Sequence, residues 1–356
     1  MYIIAEVAQT HEGSVNQCIA FIDAIKKAGA DAIKFQMHIA EAESNQDEAW
    51  RVKFSFQDKS RYDYWKRMEF SFDQWKIIRD YAKKQKIDFI CSPFSEKAVE
   101  YLLKLDIDAW KIGSGEVLSY KMINMMIASK KTIYISSGMS SWSEMDEFVG
   151  YLKDNGASFT LMQCTTQYPT PLENVGLNNL SLMQKRYSIP IGLSDHSGTI
   201  YPAIAAYFLG ASSVELHVTL SKYMFGPDVS SSVDIDQLST LKNMIKTFDV
   251  LLENPVDKDI MSNQLTDLKN IFYKKAVAKH DISHLDTIKI CDFEFKKTTC
   301  LGVSALFVEA CVGKKLTRDL FKGELLTREH FSPATLQQIE KSIMRKHLYY
   351  TKRAQQ

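Results

Sequence analysis

With 356 residues the chain is long enough for one large domain and a small one. Hydrophobic residues at 45% and charged residues at 24% are an ordinary globular mix, which argues against disorder. Lys and Arg (44) nearly cancel Asp and Glu (43), so no global basic field points to nucleic acid, and no apolar run approaches the roughly 18 residues of a membrane span.

The first residues enter a strand-like run at once, with no charged leader ahead of it. Strand candidates follow at 2–7, 30–37, 88–91, 109–112, 132–136, 158–164, 189–194 and 212–218. Helix-length segments at 15–28, 72–84, 96–105, 143–155 and 200–209 lie between them. Strands alternating with helices predict βα units and a parallel sheet, and eight strands close a (β/α)8 TIM barrel over 1–252. Residues 253–270 read as a linker. Short extended runs at 275–278, 287–290 and 293–295, with turns at Gly302, Gly313 and Gly323, predict a small β-rich domain over 271–340. Residues 341–356 read as a basic tail that frays. The charged, aromatic insertion at about 39–68 has the character of an active-site loop. Six cysteines without a CxxC pair read as reduced thiols, in keeping with a soluble cytoplasmic protein.

Polar residues mark the ends of the strand candidates: Glu6, Lys34 and Gln36, Ser92, Lys111 and Ser114, Ser136, Thr165, Ser194 with Asp195 and His196, and Glu215 with His217. In a barrel these ends share one face, so they predict a single polar pocket. His196 and His217, beside Asp195, Glu215 and Asp228, are candidate ligands for a divalent metal; each is equally able simply to hydrogen-bond a neighbour. Lys34 and Lys111 interrupt apolar strands. They read as a cradle for a small polyanion, as a Schiff-base lysine, or as ion-pair partners of Glu6 or Glu116. Residues 111–116, Lys-Ile-Gly-Ser-Gly-Glu, add small residues whose amides can approach a phosphate. Gly226-Pro227-Asp228 is a tight turn after the eighth strand.

Taken in order, these segments resemble the sialic acid synthase family, with its pseudaminic and legionaminic acid synthase relatives. The resemblance is carried by Ile4-Ala5-Glu6, His11-Glu12-Gly13, Ile33-Lys34-Phe35-Gln36, Ser92-Pro93-Phe94-Ser95, Lys111 to Glu116 and Ser136-Ser137-Gly138-Met139. It continues through Tyr168-Pro169-Thr170-Pro171, Leu193-Ser194-Asp195-His196, Glu215-Leu216-His217 and Gly226-Pro227-Asp228. It implies condensation of phosphoenolpyruvate with N-acetylmannosamine or a related amino-sugar aldehyde, giving a nine-carbon 2-keto acid and phosphate. It further implies a divalent ion, manganese or else magnesium or cobalt, on His196 and His217. Lys34, Ser92 and Lys111 would receive the phosphoenolpyruvate carboxylate; Ser114, Ser136, Ser194 and Thr166 its phosphate. Glu6, Gln36, Glu116, Tyr168 and Asp228 would orient the sugar, with Glu6 or Glu116 handling protons. The small domain resembles the family's antifreeze-like (SAF) module, which implies a domain-swapped homodimer with Lys297 near the sugar N-acyl group. Thr166, Ser92, Leu216, Val229 and Lys297 depart from the usual pattern. Two other readings are a Schiff-base pyruvate aldolase and a non-catalytic sugar-acid-binding or scaffold relative.

Overall fold

Runs rich in Ile, Val and Phe can bury both faces, as a parallel sheet under helices requires. The computed structural model, which describes residues 1–354, contains eight of them: β1 (Tyr2–Glu6), β2 (Ala32–Met37), β3 (Asp88–Pro93), β4 (Ala109–Ile112), β5 (Ile133–Ser136), β6 (Phe159–Cys164), β7 (Ile191–Asp195) and β8 (Ser213–Thr219). They pair in parallel in chain order, and β8 returns to β1 with Glu6 opposite His217. The sheet is therefore a closed (β/α)8 barrel, as expected, with a short ninth strand, β9 (Ser232–Asp234), added to β8. The chain falls into two compact units, Met1–Glu253 and Asn254–Gln356.

The period of two along each strand decides what the pocket contains. Ile3, Ala5, Val7, Ile33, Phe35, Val214, Leu216 and Val218 belong to the large core cluster. The alternate positions of the same strands carry Ile4 and Glu6, Ala32 and Lys34, Ile90 and Ser92, and Ala109 and Lys111. Their first members form a separate small cluster, with Tyr2 and Tyr134 against it. Their last members lie at the C-terminal mouth. Leu216, a departure from the family pattern, is thus a buried core residue rather than part of the pocket wall.

The helices Val15–Ala28, Phe72–Lys84, Glu96–Leu105, Trp142–Asp154 and Tyr201–Phe208 fall where the pattern predicts them. Ser14, Ser71, Ser95 and Ser141 cap the first four. Gly29, at φ +91°, ends the first in a left-handed turn.

In the second unit the expected linker instead carries two short helices, Lys258–Gln264 and Thr266–Phe272. β10 (Lys275–Ala278) and β11 (Phe293–Lys296) form an antiparallel pair. The run expected at 287–290 keeps only one bridge, Thr287 to Lys315. Ala276, Ile282, Phe293, Val308, Leu320 and Leu326 are among the residues of this unit's own core. The expected frayed tail is a helix, Pro333–Ala354, anchored there by Ile339; residues 355 and 356 lie outside the described residues. No helix among the described residues is long and apolar enough to cross a membrane. All six cysteines are free thiols.

Candidate active site

A cavity of about 660 Å³ opens at the barrel mouth and is lined entirely by residues of the first unit. It brings together Glu6, Lys34, Gln36, Ser92, Lys111, Ser114, Glu116, Ser136, Thr166, Tyr168, Ser194, His196, His217 and Asp228. Three expected residues are elsewhere. Asp195 does not line the cavity, and its Oδ2 accepts from the Ser197 hydroxyl at 2.7 Å. The Thr165 hydroxyl donates to the Asn174 carbonyl at 2.7 Å, so Thr166 lines the cavity in its place. Lys297 lies in the second unit, exposed, with its ammonium 5.3 Å from the centre of the Phe272 ring.

The cavity floor is an ionic chain. Lys34 Nζ is 2.8 Å from Glu6 Oε2, 3.5 Å from Glu215 Oε1 and 3.3 Å from Ser92 Oγ. Lys111 Nζ is 3.6 Å from the same Glu215 oxygen and donates to Ser136 Oγ at 2.6 Å. Ser194 Oγ donates to that oxygen at 3.3 Å. Both ammonium groups therefore converge on one carboxylate, and the ion pair with Glu6, one of the plain readings of Lys34, is present.

The two lysines are not equivalent. Burial opposes the charge on Lys34, but Glu215 and Glu6 outweigh it and hold the ammonium above its ordinary range. At Lys111 burial wins: Glu215 offsets part of it, Lys34 reinforces it, and the pKa falls. Lys111 is thus the under-neutralised cation, the one that gains most from an incoming anion. The carboxylates split likewise. Burial raises Glu6 against the pull of Lys34, whereas Lys111 and Lys34 overcome burial at Glu215 and lower it. Glu6 is the weaker acid of the pair, so it holds a proton more readily.

Small residues make room beside the cations. The Gly138 N–H donates to Ser114 Oγ at 3.1 Å. A Cβ on Gly138 would fall 2.8 Å from that oxygen and closer still to Thr166 Oγ1.

Opposite lie the imidazoles, His196 and His217, with ring centres 5.2 Å apart; Tyr168 packs 4.1 Å from His196. His196 Nδ1 donates to the Thr165 carbonyl at 2.9 Å, so Nε2 is the nitrogen a metal would take. Burial opposes the charge on this ring, but Cys164 and that carbonyl outweigh it and hold the imidazole above its ordinary range. Burial, then the charges of His196, Lys34 and Lys111, push His217 well below its ordinary range, so it is neutral; its Nδ1 is buried without a hydrogen-bond partner. Two neutral-capable nitrogens, one orphaned, fit a divalent ion. Among the described residues no group of three His, Cys, Asp or Glu could hold one, so water or substrate oxygens must complete the shell.

The insertion supplies the outer wall: Glu43, Glu48, Trp50, Arg51, Phe54, Arg61, Tyr64 and Trp65. Sequence reasoning marked the segment but none of these residues. Arg51 lies 4.5 Å from the Tyr168 ring centre, and His38, just before the insertion, stacks on Trp65. The signal in the sequence was a histidine and a glutamate five residues apart at the end of a strand.

A closed parallel barrel with cations, hydroxyls and imidazoles gathered at its C-terminal mouth defines a class of barrel enzymes that act on small anionic substrates. Residues 21–257 match the NeuB family, and the chain belongs to that family. It is 30% identical over 330 residues to the N,N'-diacetyllegionaminic acid synthase of Campylobacter jejuni, covering 91% of this chain and 98% of that protein. It is 33% identical over 258 residues to the N-acetylneuraminate-9-phosphate synthase of Mus musculus, 71% and 72% of the two chains. Among solved structures, the N-acetylneuraminic acid (sialic acid) synthetase of Leptospira borgpetersenii, in complex with citrate, shares the fold. The TM-score is 0.65 at 24% identity, over 76% of this chain and 92% of that one.

Proposed function

We propose that this protein is a phosphoenolpyruvate-dependent synthase that adds three carbons to an amino-sugar aldehyde and so makes a nine-carbon sialic-type 2-keto acid. The observation that carries the reading is the single mouth shared by Lys34, Lys111, His196 and His217: one wall suits an anion, the other an aldehyde oxygen. Family membership points to the same reaction. A Schiff-base role is disfavoured at Lys34, which its two carboxylates keep protonated.

In this reading Lys34, Lys111 and Ser92 hold the carboxylate of phosphoenolpyruvate, and Ser114, Ser136, Ser194 and Thr166 its phosphate. Gln36, Glu116, Tyr168 and Asp228 orient the sugar. Held together, the two reactants meet at high effective concentration. C3 of phosphoenolpyruvate bonds to the aldehyde carbon, whose oxygen takes a proton from Glu6. Water adds at C2 and loses its proton to Glu116 or back to Glu6. The bond from C2 to the oxygen that bridges to phosphorus then breaks as the C2 hydroxyl gives its proton to the departing phosphate, leaving the 2-keto group and inorganic phosphate. A divalent ion on His196 and His217, manganese by preference, supplies Lewis acidity toward the aldehyde oxygen.

The second unit is in this reading the antifreeze-like module, exchanged between two copies so that Lys297 approaches the sugar N-acyl group, and the enzyme is cytoplasmic. The deciding experiment is phosphate release from phosphoenolpyruvate with manganese against N-acetylmannosamine, its 6-phosphate and a deoxy diacetamido sugar. Release with one of them is expected. Tight sugar binding with no release from any would sink the proposal in favour of a non-catalytic relative.

A further inference from the structure

His38 is a buried residue of the cavity lining, and its ring is held on both faces and at both nitrogens. Trp65 stacks on one face at 3.9 Å and 15°, Phe94 on the other at 4.3 Å and 13°. In its plane, Nδ1 meets Glu43 Oε1 at 2.6 Å and Nε2 meets Gln36 Oε1 at 3.1 Å. Glu43 is itself anchored, since Oε2 accepts from the Ile39 N–H at 3.1 Å. Trp65 is pinned by its indole N–H to Glu48 Oε2 at 3.0 Å.

From His38 through Gln36 to Glu6 the hydrogen bonds run in one direction. Gln36 Nε2 donates to Glu6 Oε1 at 2.6 Å, so Gln36 Oε1 faces the other way, toward Gln9 Nε2 at 3.3 Å and His38. An amide oxygen only accepts, hence His38 Nε2 carries hydrogen. A continuous relay leads from Glu43 through His38 and Gln36 to Glu6, where Lys34 arrives from the opposite side. Without a donor at His38, Gln36 Oε1 keeps only the longer contact from Gln9 Nε2 at 3.3 Å, so the amide that donates to Glu6 is held less firmly in place. A slot between two aromatic rings needs no imidazole for packing: an apolar side chain fills it without burying a carboxylate partner.

We propose that His38, held by Glu43, is a positioning residue for the aldehyde substrate: it locks the Gln36 amide and, through it, the orientation of Glu6. The inference rests on the condensation reading above and extends it to residues beyond the cavity floor.

The test compares phosphate release by the full-length wild type, His38→Leu and His38→Gln while each substrate is varied in turn. In His38→Leu the KM for the sugar is expected to rise about tenfold, the effect of one lost hydrogen bond, with the phosphoenolpyruvate KM within about twofold. His38→Gln, which restores a donor, should recover most of that loss. Equal rises in both KM values, or an unchanged sugar KM in His38→Leu, overturn the role. A nitrogen-15 spectrum of histidine-labelled wild type, with the His38 ring located by its through-space contacts to Trp65 and Phe94, should also show hydrogen on Nε2; a bare Nε2 overturns the role even if both variants unfold. Absence of turnover in the wild type refutes the condensation reading and this role together, whereas turnover with an unresponsive His38→Leu refutes this role alone.

Discussion

The two ends of the barrel treat polarity in opposite ways. At the N-terminal end, Tyr2 donates to Asp88 Oδ2 at 2.5 Å and stacks 6.2 Å from Tyr134. Asp31 accepts from the Ile3 N–H at 2.8 Å and from Lys242 at 2.8 and 2.9 Å. Each of these groups has a local partner. At the mouth, Glu215 Oε2, His217 Nδ1, Asp195 Oδ1 and Gln9 Oε1 are buried with no hydrogen-bond partner. The N-terminal end keeps one such atom, Ser213 Oγ at the start of β8, whereas the mouth gathers several. Those of Glu215 and His217 belong to the cavity lining, where a ligand can satisfy them, at a cost to stability in its absence.

Substitution separates the two ends, and the largest effect belongs to the imidazoles. His217→Ala is expected to lower phosphate release by about a thousandfold or more, because it removes a group aimed at charge developing in the transition state. Its far-ultraviolet circular dichroism should match the wild type. Activity within tenfold of wild type would remove His217 from the chemistry.

Next come the two lysines, whose losses should differ in kind. Lys34→Met leaves Glu6 and Glu215 facing each other, so it should destabilise the fold by about 3–5 kcal/mol in denaturant titrations. Lys111→Met removes a cation that burial already disfavours and should cost far less stability. It should nonetheless weaken phosphoenolpyruvate binding about a hundredfold by calorimetry, roughly 2.7 kcal/mol. Equal stability losses would contradict the asymmetry argued here. Gly138→Ala should act only on ligand binding: its methyl displaces the hydroxyls of Thr166 and Ser114, and the phosphoenolpyruvate KM is expected to rise about tenfold with little change in melting temperature.

These contrasts also explain what the sequence reveals unaided. The eight strands are legible because each is a short apolar run, and the floor residues are legible because a lysine or glutamate inside such a run has few innocent explanations. The helices Tyr120–Ala128 and Asn178–Tyr187 are not, one being apolar nearly all round and the other largely polar. The final helix reads as a frayed tail because residues 341–356 are basic and terminal; in the structure its last turns do expose Met344, Leu348, Tyr349 and Tyr350. His38 and Glu43 escaped for another reason: their role depends on Trp65 and Phe94, which arrive from 27 and 56 residues away. No local pattern encodes that stacking.

The smaller effects test the closed end. Tyr2→Phe removes one hydrogen bond and should cost about 1 kcal/mol in denaturant titrations while leaving phosphate release within about twofold. A large loss of activity would mean that the two ends are coupled through the barrel core.

The smallest effect is expected at Glu116, on the cavity wall, where pH supplies the readout. Burial lifts its carboxyl above the usual carboxylate range, although the Ser119 hydroxyl and His38 pull the other way. The folded protein then holds that proton more tightly than the unfolded chain, whose glutamate titrates near about 4.3. Its favourable contribution is complete below the unfolded value and disappears as pH rises through the folded one, so at neutral pH the ionised carboxylate is a burden on the fold. Glu116→Gln should therefore melt slightly above wild type at about pH 7.5, with the gap closing by about pH 4, while phosphate release falls. A variant that is less stable than wild type at about pH 7.5 would show that Glu116 is a satisfied structural group, and would move the boundary between the two kinds of polarity inside the mouth itself.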